Sequence, residues 1–179
     1  VAERDDLVRR LELRRHTDND GDMLTDDGIR AAEAIGARLR SPYALFASTG
    51  AARATQMAQI LRRSAGQDDL PITIADGLRS SVEDRWRDAA GVAGKGADLE
   101  RIRQVDRELV DNESRLLGKA LRELLDQVPE GGTGLFVGHS PTTEAAIFGL
   151  TGQMVEPLAK GAGVLLAETN GTFQLQQLD

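Results

Sequence analysis

The sequence predicts an α/β fold: a three-layer sandwich with a mostly parallel central sheet, helices on both faces and an antiparallel hairpin at the C-terminal edge. Three observations carry this. Short apolar runs alternate with longer stretches of helical periodicity, the pattern of strand–helix crossovers that makes neighbouring strands parallel. The segments "AGVLLAET" and "TFQLQQL" flank Asn170-Gly171, a pair that accepts the positive φ of a two-residue hairpin turn. A chain of 179 residues with 40% hydrophobic content suffices for one sizeable core and is short for two. Residues 1–179 are therefore expected to form a single domain.

The elements follow in order. Leu7, Leu11 and Leu13 share one parity in "LVRRLELRR", which reads as a strand over residues 7–15. Its charged face is unusual, because a parallel strand covered on both sides is normally apolar throughout; Glu12 and Arg14 must be paired, exposed or catalytic, and Arg14 is expected to pair with a strand or lid carboxylate. "LTDDGIRAAEAIGARLR" then starts a helix, with Thr25 as N-cap and Asp26 and Asp27 in the first turn, where they complement the helix dipole. "YALFAST" is a short buried strand, "GAARATQMAQILRRSAG" a second helix closed by Gly66, and "LPITIADGL" a third strand. "TGLFVGHS" is a fourth strand running into the helix "PTTEAAIFGL", where Pro141 suits a first turn that lacks N–H partners. Residues 79–111, rich in charge and holding Gly91, Gly94 and Gly96 around the only tryptophan, read as an insertion or lid beside the sheet and not as core.

Composition excludes several functions. There are 22 basic and 29 acidic residues, a net charge of -7, so the mean field opposes general binding to nucleic acid or anionic membranes. Without cysteine there is no disulfide, thiolate metal site or thiol nucleophile. No run approaches the roughly 18 apolar residues of a membrane span, and "VAERDDLVRR" has no apolar signal core. A cytoplasmic protein is expected; the start at Val1 instead of methionine suggests a trimmed leader. The acidic run from Asp18 to Asp27 fails the calcium-loop template, which wants glycine sixth and glutamate twelfth where Met23 and Ile29 stand. Asp20 and Asp22 are expected to be solvated, and neither metal nor cofactor is expected.

The chain holds two histidines, and each follows a predicted strand: His16 after "LELRR" and His139 after "LFVG". Ligands of open α/β sheets bind at the carboxyl ends of the strands, so the two rings can meet there. Each can equally well end a strand and bond to nearby backbone. Arginines strengthen the first reading. Arg15 adjoins His16, and Arg53 lies just beyond "YALFAST" at the same edge, where planar guanidinium forks match phosphate oxygens. A solvated surface charge is the alternative for each.

With these residues in place, the sequence resembles the histidine phosphatase superfamily, the phosphoglycerate mutase-like group. Its strand followed by Arg-His-Gly is similar to "LELRRHT", its Leu-Thr-x-x-Gly helix start to "LTDDG", its arginine helix to "ASTGAARATQMA" and its Val-Gly-His turn to "VGHSP". The motifs keep family order over residues 7–150. Size and the C-terminal end look most like the small phosphohistidine-phosphatase type. The resemblance implies a phosphatase acting on a phosphomonoester or phosphohistidine, in a phosphorylated small molecule or phosphoprotein. His16 would be the nucleophile, forming a phosphohistidine; Arg15, Arg53 and His139 would hold the non-bridging oxygens.

The proton donor is left between two residues. The family's Leu-x-Glu glutamate falls on Ser80, so Glu83, three residues on, and Asp18, two past the nucleophile, are the candidate acids. Each is otherwise a solvated loop carboxylate. Thr17 replaces the glycine usual after the histidine, a poor fit if that backbone needs positive φ, unless its hydroxyl joins the pocket. In the lid, Arg79, Arg85, Trp86 and Arg87 either meet the substrate or pack. Two alternatives stand beside the phosphatase: a mutase, disfavoured by the short chain and the absent Leu-x-Glu, and a phosphate-binding domain without turnover.

Overall fold

A computed structural model describes residues 7–40 and 42–179. Its strands are β1 (Arg9–Arg15), β2 (Asn19–Asp20), β3 (Met23–Leu24), β4 (Leu45–Ser48), β5 (Ile72–Ile74), β6 (Thr133–Gly138), β7 (Gly163–Thr169) and β8 (Thr172–Leu178). The helices are α1 (Asp26–Gly36), α2 (Ala52–Ser64), α3 (Glu83–Ala93), α4 (Leu99–Val105), α5 (Arg107–Asp126) and α6 (Thr142–Thr151). A six-stranded sheet runs β5-β4-β6-β1-β7-β8. The first four strands in that order are parallel, and β7 and β8 are antiparallel. The predicted hairpin turn is present, with Asn170 at φ 51° and Gly171 at φ 79°. The predicted third strand is shorter than "LPITIADGL": after Ile74 the chain tightens into a 3-10 turn, Asp76–Leu78. No helix among the described residues is long and apolar enough to cross a membrane.

Helices cover both faces of the sheet. On one, Phe46, Leu135 and Val137 pack with Ala32 and Ile35 of α1 and with Ala54, Met57 and Leu61 of α2. On the other, Leu11, Leu13, Phe136, Val164 and Leu166 pack with residues of α3 to α6. The polar face of β1 is resolved by pairing. Arg14 Nε donates to Glu12 Oε2 at 2.6 Å, Tyr43 donates its hydroxyl to Glu12 Oε1 at 2.9 Å, and Arg14 Nη1 donates to the carbonyls of Gly161 and Asp179. Buried charge is tolerated when it is paired and its remaining hydrogen bonds are met.

The segment 79–111 departs from its expectation. It is mostly helical, and its apolar residues belong to the core: Trp86, Ala89, Ala93, Leu99, Ile102 and Leu109 are all buried in the second cluster. Its charges hide this periodicity in the sequence because they pair outward, Arg85 with Asp106, Arg87 with Asp84 and Arg103 with Asp111. The sequence suggests no element over residues 112–132, yet α5, the longest helix, runs to Asp126.

α5 and α6 cross with their backbones in contact. A Cβ on Gly149 would lie 1.7 Å from the Ser114 carbonyl oxygen, and one on Gly118 would lie 2.6 Å from the Gly149 carbonyl carbon. Neither clash is relieved by moving a side chain. Gly149→Ala is therefore expected to destabilise the protein at or above the upper end of the ~1–3 kcal/mol typical of overpacking. Gly91→Ala, in α3 with nothing within 4 Å of the new methyl, is expected to be neutral or to gain up to ~1 kcal/mol of helix propensity. Denaturant unfolding of the two variants checks the contrast; equal effects would mean the helices do not meet there.

Candidate active site

Register brings the predicted residues to one edge. Arg15 of β1 lies opposite Gly138 of β6, and Ser48 of β4 opposite Val137, so His16, Thr49 and His139 leave adjacent parallel strands at the same level. α2 starts just after β4 and carries Arg53 in its first turn. The imidazoles of His16 and His139 sit edge to face with centroids 5.3 Å apart. Arg53 spans them: its Nε is 3.4 Å from His16 Nε2 and its Nη2 is 3.4 Å from His139 Nδ1.

These contacts fix the tautomers. His16 Nδ1 is 2.8 Å from the Thr17 carbonyl oxygen, which can only accept, so Nδ1 carries the hydrogen and Nε2 is bare in the neutral ring. Arginine can only donate, so His139 Nδ1 is the acceptor and its Nε2–H donates to Thr49 Oγ1 at 2.8 Å. Burial lowers the pKa of His16, helped by the cations Arg53, Arg15 and Lys160 and opposed by the Thr17 hydrogen bond. Burial, with Arg53 and His16, pushes His139 down to about 3.

Thr17 does not strain the turn. Asn170 is the only non-glycine residue at positive φ among those described, and the Thr17 hydroxyl donates to the Gly28 carbonyl at 2.7 Å, tying the loop after His16 to α1 and not entering the pocket. The "LTDDG" motif has the same basis. Thr25 caps α1 by accepting from Gly28 N at 3.0 Å, and a Cβ on Gly28 would fall 2.0 Å from the Asp18 carbonyl oxygen.

A cavity of about 290 Å³ opens beside the His139 imidazole, walled by Arg53, Ser80, Glu83, Trp86 and Arg87 among others; His16 is not in its wall and reaches it only through its contacts with Arg53 and His139. Of the two candidate acids, only Glu83 lines it; its carboxylate accepts from Arg79 Nε at 2.9 Å. Asp18 is held elsewhere, by Lys160 at 2.9 Å and Thr25 at 2.8 Å, and these partners keep its carboxyl below the usual range. Arg15 is near but turned aside: it donates to the Leu158 carbonyl and borders the neighbouring cleft, although its charge reaches His16. Arg85 bonds to Asp106 and does not line the cavity.

Asp22 refines an expectation. It is exposed, as expected, but it is also paired: its carboxylate accepts from Arg53 Nη1 at 2.9 Å and holds the outer edge of the guanidinium whose inner edge faces the imidazoles. The sequence reading missed this pair and Thr49. The serine-threonine end of "FAST" was the available signal for Thr49; nothing marked Asp22, whose partner is distant in the chain.

No family model matches the sequence, and no curated protein does. Solved structures match in fold, among them a phosphoglycerate mutase and several phosphatases, and the chain has their fold. The phosphoglycerate mutase of Bacillus anthracis str. Sterne superposes with a TM-score of 0.75 at 18% identity, over 98% of this chain and 95% of that one. The phosphoserine phosphatase of Entamoeba histolytica, solved with 3-phosphoglyceric acid, gives 0.70 at 17% identity, over 95% and 96%. The alpha-ribazole phosphatase of Shigella flexneri gives 0.66 at 17%, over 94% and 95%.

Because His139 stays neutral in the folded chain to about pH 3, whereas the unfolded ring takes up a proton near 6.5, its contribution to stability is complete above that value. It is lost as pH falls towards 3, since the unfolded state then binds more protons. Replacing Arg53 by Gln is expected to raise both imidazole pKa values, measured by NMR titration of the ring nitrogens; unchanged values would place Arg53 out of reach of both.

Proposed function

We propose that the protein is a metal-independent phosphatase that hydrolyses a phosphomonoester or phosphohistidine through a phosphohistidine on His16. The observation that carries this reading is the direction of Arg53: one guanidinium points at the bare Nε2 of His16 and at His139. A phosphoryl group placed there meets a lone pair and a planar cation together.

In the first step the His16 Nε2 lone pair attacks phosphorus and the bond to the leaving oxygen breaks, with a proton delivered to that oxygen. Arg53 neutralises non-bridging oxygens, Arg15 adds its charge from the side, and the phosphoryl dianion favours a proton on His139, which then donates as well. In the second step water attacks the phosphohistidine and frees phosphate. Asp18 has no place in this sequence because Lys160 and Thr25 hold it outside the cavity. Glu83 is the carboxylate on the leaving-group side, facing Arg79. The α3 wall formed by Trp86 and Arg87 supports a small phosphorylated molecule over a protein surface.

The fold likeness to a phosphoglycerate mutase favours a second reading, phosphoryl transfer back to the substrate. Incubation with an aryl phosphate and rapid quenching is expected to trap an acid-labile, alkali-stable phosphoryl group on His16. His16→Ala is expected to lose the label and at least 10³-fold in turnover, of the order seen when a covalent nucleophile is removed. Activity retained in that variant would end the proposal. With a phosphoglycerate, free phosphate supports the phosphatase, and isomerisation without release supports the mutase.

A further inference from the structure

Asp18 lies outside the cavity and Glu83 is paired with Arg79, and the cavity wall carries another donor. Ser80 lines the cavity with Arg53 and His139, and its Oγ donates to Glu113 Oε1 on α5. Both side chains are buried. Ser80 Oγ also accepts from Val82 N at 3.1 Å, and the same Glu113 oxygen accepts from Trp86 Nε1 at 3.3 Å. Glu113 therefore sits behind the cavity wall within the helical layer, bonded to two residues of that wall, and of the two only the Ser80 hydroxyl can pass a proton to a leaving oxygen. A carboxyl group is costly to bury unless its hydrogen bonds are met, and Ser80 and Trp86 meet those of Glu113.

Resting on the phosphatase reading above, we propose that Ser80 and Glu113 form the proton path to the leaving group: Ser80 is the catalytic donor and Glu113 the residue that supplies and positions its proton. When Glu113 carries a proton, the hydrogen bond runs from Glu113 to Ser80 and leaves the serine hydrogen directed at the cavity. As His16 Nε2 bonds to phosphorus and the P–O bond breaks, the Ser80 Oγ–H bond breaks and its hydrogen joins the leaving oxygen. Ser80 Oγ at once takes the Glu113 proton, leaving a carboxylate. In the second step the attacking water gives a proton to Ser80 Oγ, whose own hydrogen returns to Glu113. Water is consumed, alcohol and phosphate are released, and both residues are restored. Glu83 remains with Arg79 and is not needed.

The test compares a substrate whose leaving oxygen needs no proton with one whose oxygen does. On p-nitrophenyl phosphate, Ser80→Ala is expected to lose less than about 3-fold in kcat/KM; on an alkyl phosphate such as 2-glycerol phosphate it is expected to lose on the order of 10²-fold or more. Ser80→Thr, which keeps the hydroxyl, is expected to restore the alkyl substrate. Glu113→Gln, which preserves hydrogen bonding but carries no transferable acid proton, is expected to show the same selective loss; the serine pair decides the matter alone if that variant does not fold. Equal losses on both substrates, or no loss on either, in Ser80→Ala would overturn the proposal, as would failure of threonine to rescue. Failure of the underlying reading looks different: unmodified protein that neither turns over p-nitrophenyl phosphate nor acquires phosphoryl on His16.

Discussion

One guanidinium can direct N–H groups at two imidazole nitrogens only while both nitrogens are bare, and the site depends on that constraint. Arg53 imposes it on His16 Nε2 and His139 Nδ1. The Thr17 carbonyl and the Thr49 hydroxyl meet it by fixing the ring hydrogens on the far nitrogens. Burial and positive charge reinforce it by keeping both rings neutral. The result is a lone pair and a cation presented to the same point. That is an unfavourable place for another cation and a favourable one for a group with an electrophilic centre and anionic oxygens.

The fold exists to hold that geometry. Three parallel strands must end level for residues from β1, β4 and β6 to meet, and the register that does this is secured on both faces by packed helices. Asp22 fixes the guanidinium from outside and Thr17 ties the loop after His16 to α1. The charged face of β1 serves the same end, because Glu12, Arg14 and Tyr43 satisfy one another at the centre of the sheet.

Much of this was legible in the sequence where local patterns decide. The parallel strands, the helix cap at Thr25 and the Asn170-Gly171 hairpin each follow from a few adjacent residues. His16 and His139 were legible because each directly follows a strand, and Arg53 because it lies in the first turn of the helix after one. What escaped is non-local. Residues 79–111 looked like surface because their charges pair with one another outward, hiding a buried stripe from Trp86 to Leu109. The Asp22–Arg53 and Ser80–Glu113 pairs join residues far apart in sequence, and no period or motif encodes them. Arg15 carried the expected charge to the expected place, but the Leu158 carbonyl turned its fork aside, which only tertiary packing decides.

The most direct measurement of the central claim is a crystal structure with orthovanadate. If Arg53 and the two imidazoles form a phosphoryl-transfer site, vanadium will be bonded to His16 Nε2 in trigonal-bipyramidal geometry, with Arg53 and His139 on its equatorial oxygens. Vanadate bound away from His16, or coordinated there without Arg53, would contradict the account.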